Sequence, residues 1–377
     1  GSAYSIYSST GGVTAVNYGS IAATSSSGYA EGVATSSSTG TFVNLTNYGS
    51  ISTTAGGSNN SLGVYARTNA DVTNSGQITT TSTGLGNSTG ISADASAHVE
   101  NFGFMTAIHT GTGSTVGIAS VEDSTISNSG IITVKNIGNG DAHGVLANSS
   151  AVMMNSGTIS SIAKSGWSTG FNSLSTANLN NSGTISAESN TFGKARAVSA
   201  NVDSIVFNSG SMTASASGSA EAMTVFAGKS AIVNNSGNIT AINTGIVDWA
   251  NSAYGVYGLL KSSVFNTGTI SAIATAPNAS AIGVWGLSGS TLFNIGTISA
   301  ISNSGAAYAF KFQNSDAAVM LGKGSKLIGQ IYLGGINNKI SFLGGNHNLT
   351  FSEGSLASAS FTGSSLPYAV SGDRAAA

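Results

Sequence analysis

The chain has 377 residues, of which only 7 % are charged, and its 12 basic and 14 acidic side chains leave a net charge of −2 with no basic stripe to neutralise phosphates, so nucleic acid is not an expected partner. The absence of Cys excludes disulfides, thiolate metal sites and Cys nucleophiles. Forty per cent hydrophobic residues at so low a charge is not the signature of disorder, the 51 Gly are not spaced every third residue as in collagen, and no apolar run is long enough for a membrane-spanning helix.

The predicted elements follow a repeat. The pattern apolar-x-Asn-x-Gly-x-Ile/Met runs from Ala15-Val16-Asn17-Tyr18-Gly19-Ser20-Ile21 to Leu292-Phe293-Asn294-Ile295-Gly296-Thr297-Ile298, with its Asn at 17, 47, 74, 101, 128, 155, 181, 208, 235, 266 and 294. Most of the intervals are 26 or 27 residues, a period that signals a solenoid rather than separate globular domains. With the Asn as position zero, position −2 is apolar from Ala15 to Leu292, +2 is always Gly, and +4 is Ile or Met. A third apolar site at −10 holds Val64, Ile91, Ile118, Val145, Phe171, Val198, Val225, Val256 and Val284.

Each repeat therefore predicts three short strands alternating with period two about an inward residue. The expected fold is all-β, a right-handed parallel β-helix of about 27 residues per coil, with coils about 4.8 Å apart. Three buried aliphatics cannot order a whole coil alone, so stacking is obligatory. The Asn has inward parity and is expected to form a structural ladder up the coils. Gly at +2 is expected to supply φ > 0 at the corner between the second and third strands. Length variation falls at corners, in Ser36 to Gly40 and between Ile239 and Val256, where the extra residues carry Asp248-Trp249.

After Ile298 the pattern decays. Residues 1–314 are expected to form the repeats, 315–365 a C-terminal β-hairpin cap, and 366–377 a tail. The run Gly324-Ser325-Lys326-Leu327-Ile328-Gly329-Gln330-Ile331-Tyr332-Leu333-Gly334-Gly335-Ile336-Asn337-Asn338-Lys339-Ile340-Ser341-Phe342 continues through Gly344-Gly345-Asn346-His347-Asn348-Leu349-Thr350-Phe351. Together with Pro367-Tyr368-Ala369-Val370-Ser371-Gly372-Asp373-Arg374, it resembles the C-terminal end of passenger domains of classical (type V) autotransporters. The resemblance implies an autochaperone-like cap, export to the surface of a Gram-negative cell or beyond, and membrane attachment only through a linker and barrel that the chain does not contain.

Catalysis finds little support. No convincing G-x-S-x-G elbow is present, and His98 with Glu100, or Asp141 with His143, are close in sequence but suit solvated or packed positions. His109 and His347 stand apart, and no spacing suggests metal ligands. No enzyme activity and no cofactor are expected. Outward positions of the N-terminal half read mostly as Ser, Thr, Ala and Gly, but two aromatic stripes arise later. One, at −9, is Phe226, Tyr257 and Trp285; the other, at −1, is Phe207, Phe265 and Phe293, interrupted by Asn234. Either a cap or corner loop covers these stripes, or they contact another copy or a receptor. The expected function is a self-associating adhesin, with cell aggregation or biofilm formation as its outcome. The competing expectation is a ligand for a host surface protein or glycan, using Asp248-Trp249 on its long loop.

Overall fold

A computed structural model describes residues 1–35, 42–245, 252–345, 347–352, 359–363 and 368–371. Contacts divide the chain into two units, Gly1–Lys194 and Ala195–Ala377. Both are parallel β-solenoids of three sheets, without helix among the described residues.

One coil of the first unit illustrates the rest. It comprises Thr115–Ser120, Thr125–Asn128 and Ile131–Asn136, and each strand pairs in parallel with its counterpart 27 residues on. Register is kept from coil to coil, so Val99, Ile126 and Met153 fall in one column and Asn101, Asn128 and Asn155 in another. These side chains are buried, as are Ile118 and Val145 at −10 and Ile132 and Ile159 at +4. The expected solenoid and its core positions are therefore observed.

The Asn column is the ladder that its parity predicts. In the first unit Nδ2 of Asn17, Asn47, Asn74, Asn101, Asn128 and Asn155 each donates to Oδ1 of the next Asn at 2.7–2.8 Å. In the second unit the same bond joins Asn208 to Asn235, Asn235 to Asn266 and Asn266 to Asn294. Every rung thus satisfies polar groups that burial would otherwise leave unpaired.

Two local expectations are corrected. The left-handed backbone lies not at Gly +2 but at −5, between the first and second strands. Ser96, Asp123, Ser150 and Thr176 adopt it in the first unit, and Asp203, Ser230, Lys261 and Gly289 in the second. Gly at +2 serves close approach instead: a Cβ on Gly130 would fall against the carbonyl oxygen of Gly103 and 2.7 Å from the carbonyl carbon of Phe102. The first strand also breaks its alternation. Gly at −11 faces inward, where a Cβ on Gly63 would lie 2.6 Å from Ile78 Cγ2, and its neighbour at −10 faces inward too. Position −12 is thereby turned outward. In the second unit Ala197, Thr224 and Ala309 take the place of this Gly.

The segment expected to close the chain as a hairpin does not reverse. Ala318–Gly322 pairs in parallel with Asn338–Leu343, which pairs in parallel with Ala359–Gly363. Both steps are 21 residues, as Val319 facing Ile340 and Ile340 facing Phe361 show, so the coils shorten while their sense is kept. Ile331, Leu333, Ile340 and Phe342 continue the buried columns, which only parallel stacking can extend. The turn at Gly334 to Asn338 is a corner: Gly335 and Asn337 have φ of 71° and 62°, and Asn338 Nδ2 donates to the Gly334 carbonyl at 2.7 Å.

Candidate functional site

The reversal at −12 gives the outer face of the first-strand sheet two rows, −12 and −9. In the second unit these rows meet in an aromatic ridge. Phe226, Tyr257 and Trp285 stand in register on successive coils, continued by Lys311 and Tyr332. Beside them run Met223, Tyr254, Ile282 and Tyr308. Ring centroids lie 5.9 Å apart for Phe226 and Tyr257, 4.4 Å for Tyr257 and Trp285, and 5.3 Å for Tyr254 and Trp285.

The ridge is not bare. Its rings shield one another, so Met223, Tyr254 and Ile282 are buried while Phe226, Tyr257, Trp285 and Tyr308 are half-buried. Cations close it at both ends. The Arg196 guanidinium lies 4.4 Å from the centre of the Phe226 ring, and Lys311 Nζ lies 5.3–5.7 Å from the rings of Trp285, Tyr308 and Tyr332. Such contacts favour a cation over the negative face of a ring.

Burial dominates the electrostatics. It pushes the Tyr254 phenol up to about 12 and raises those of Tyr257 and Tyr308. Burial also lowers Lys311 and Arg196, against the pull of Glu221 on Arg196. Tyr254 is thus a neutral phenol at ordinary pH and suits hydrogen bonding better than acid–base chemistry. The indole Nε1 of Trp285 is buried without an acceptor among the described residues.

The other stripe lies on the second-strand sheet. Phe207, Asn234, Phe265 and Phe293 face one another along successive coils, continued by Met320. Phe207 and Phe265 are 46 % and 40 % exposed, while Phe293 is half-buried with its ring centre 6.3 Å from that of Phe265. Asp248 and Trp249 fall outside the described residues.

Period-two reasoning missed Tyr254, Met223, Ile282 and Tyr308, because it assigned −12 to the inside. It also missed aromatic residues in the first unit. Tyr18 and Tyr48, one coil apart at +1, stack with centroids 5.1 Å apart and are 79 % and 52 % exposed. The histidines fall as packing or solvent-facing groups. His109 is buried, with Nε2 2.7 Å from the Gly86 carbonyl and Nδ1 accepting from Gly111 N–H. His98 and Glu100 lie on the strand Ala97–Asn101, and His143 lies on Ala142–Ala147 in the −12 row, where burial lowers its pKa. Among the described residues no group of three or more His, Asp or Glu could hold a metal ion. The chain matches no protein-family model, and no curated protein or solved structure was found similar to it.

Proposed function

We propose that the chain is the passenger of a classical autotransporter, displayed at the surface of a Gram-negative cell, and that it acts as an adhesin by binding further copies of itself. The observation that carries the reading is the outward row of Phe207, Asn234, Phe265 and Phe293 on successive coils, in which Phe207 and Phe265 stand exposed and Phe293 half-buried. Lateral contact with a second copy would remove it from solvent. A solenoid with 7 % charged residues repels its neighbours weakly, and Ser, Thr and Asn on the flanking rows offer many weak hydrogen bonds. Many copies on facing cells convert such contacts into avidity.

The test is sedimentation of the purified chain alongside settling of cells that display it. Concentration-dependent dimers and rapid settling are expected, and both should be lost in the triple variant Phe207→Ser, Phe265→Ser, Phe293→Ser. A chain that stays monomeric on cells that stay dispersed would sink the reading.

A further inference from the structure

The first unit carries a groove of about 640 Å³ on the outer face of its first-strand sheet. Its floor is laid by the same two rows that form the ridge in the second unit. Here they hold, apart from Tyr65, mostly small or aliphatic side chains, chiefly Leu62, Thr89, Val116 and Leu146. Leu62, Thr89 and Val116 are only 5–6 % exposed although they point outward, so the walls enclose them. One wall is Tyr29, Asn60 and Asn87; the other is Arg67 and Asp94, with Tyr65 rising from the −9 row beside them.

The polar groups on these walls are fixed. Asn60 Oδ1 accepts from the backbone N–H of Asn87, and Asn87 Oδ1 accepts from that of Ser114, each at 2.8 Å. The group each carboxamide can offer a ligand is therefore its Nδ2–H₂. Opposite, the Tyr65 hydroxyl donates to Asp94 Oδ2 at 3.2 Å. Glu31 closes one end, 7 % exposed, in register with Leu62. Amide donors thus recur one coil apart on one edge, and Arg67 and the Tyr65–Asp94 pair lie on the other, above a narrow apolar strip.

We propose that this groove binds an uncharged oligosaccharide lying along the stacking direction of the coils. Sugar hydroxyls donate and accept on both edges of a pyranose chain, and its C–H faces suit the strip of Leu62, Val116 and Leu146. The coil step of about 4.8 Å is close to the length of one pyranose unit, so successive sugars would meet equivalent positions. A nucleic acid is disfavoured, because Arg67 is outnumbered by Asp94 and Glu31. An extended peptide is disfavoured, because strands dock on sheet edges and this is a sheet face.

The experiment applies the full chain to an array of defined neutral and acidic oligosaccharides, followed by calorimetric titration with the tightest binder. Binding to neutral linear members is expected. It should weaken at least tenfold in Tyr29→Ala and in Asp94→Asn, two exposed positions whose variants should keep the wild-type circular dichroism. Ile336→Ser, at an exposed position of the other unit, should bind as wild type. No binding to any array member, equal binding by the groove variants, or binding only to acidic members with steep salt dependence would each overturn the proposal. The inference does not rest on self-association: a monomeric chain that binds sugar would refute that reading and leave this one standing, and an aggregating chain that binds none would do the reverse.

Discussion

Asn101 donates from Nδ2 to Oδ1 of Asn128 at 2.7 Å and accepts at its own Oδ1 from Asn74 at 2.8 Å, all three side chains being buried. Asn101→Ala therefore orphans a donor above and an acceptor below. Its expected cost is roughly 2–5 kcal/mol, from two buried unsatisfied groups. Asn17→Ala orphans Asn47 Oδ1 and leaves the Gly19 N–H, at an exposed residue, to solvent, so it should cost less, about 1–2 kcal/mol. Amide hydrogen exchange in the affected coils measures both, and equal losses would contradict a cooperative ladder.

Gly130→Ala tests the close approach at +2. The nearest atoms to the added methyl are backbone, the Gly103 and Phe102 carbonyls, and backbone held by sheet pairing yields less easily than a side chain. A loss of about 1–3 kcal/mol, at the upper end of that range, is expected from overpacking. A thermal midpoint within a degree of wild type would show that the corner relaxes.

Glu31 makes stability depend on pH. Burial raises its carboxyl to about 7 from an ordinary value near 4.5. Below 4.5 the group is protonated whether folded or unfolded and has no effect. As pH rises from 4.5 to 7 the unfolded chain ionises first, so the folded state loses stability, and the loss is complete above 7. Glu31→Gln should match wild type at pH 4 and exceed it by ~1–2 kcal/mol at pH 8, a range reduced for solvent at the groove mouth. Melting curves at the two pH values decide it. A gain at pH 4 as large as that at pH 8 would rule out ionisation as the cause.

Trp285 separates ring packing from hydrogen bonding in the ridge. Trp285→Phe keeps much of the ring between Tyr254 and Tyr257 and removes an indole N–H buried without an acceptor. Its stability should lie within about 0.5 kcal/mol of wild type, the lost area being offset by the removed unpaired donor. Trp285→Ala should lose roughly 1.5–3 kcal/mol. Thermal midpoints of the two variants check both figures.

The columns at −2, zero and +4 were legible because burial and register admit few residue types there, and the sequence repeats them. The outer face was less so. Strict alternation puts Tyr254 inside with Val256, whereas Gly255 faces the core and its Cβ would lie against Ile270 Cγ2. The recurrence of Gly one place before the inward Val or Ile, at 63, 90, 117, 144, 255 and 283, was the available signal for that break. The hairpin expectation failed for a related reason. Gly335 and Asn337 suit a reversal as well as a corner, and only the buried column of Ile331, Ile340 and Phe342 distinguishes the two.

The inward Gly at −11 separates two tasks along a single strand. Residues at −10 and −11 are held to a few small or branched types by the core, while those at −12 and −9 make no demand on it. Leu62 with Tyr65 and Tyr254 with Tyr257 occupy the same two places in coils of the same pattern. Surface chemistry can thus be rewritten one coil at a time over an unchanged scaffold, so two solenoids of this kind could share an interior and recognise unrelated targets.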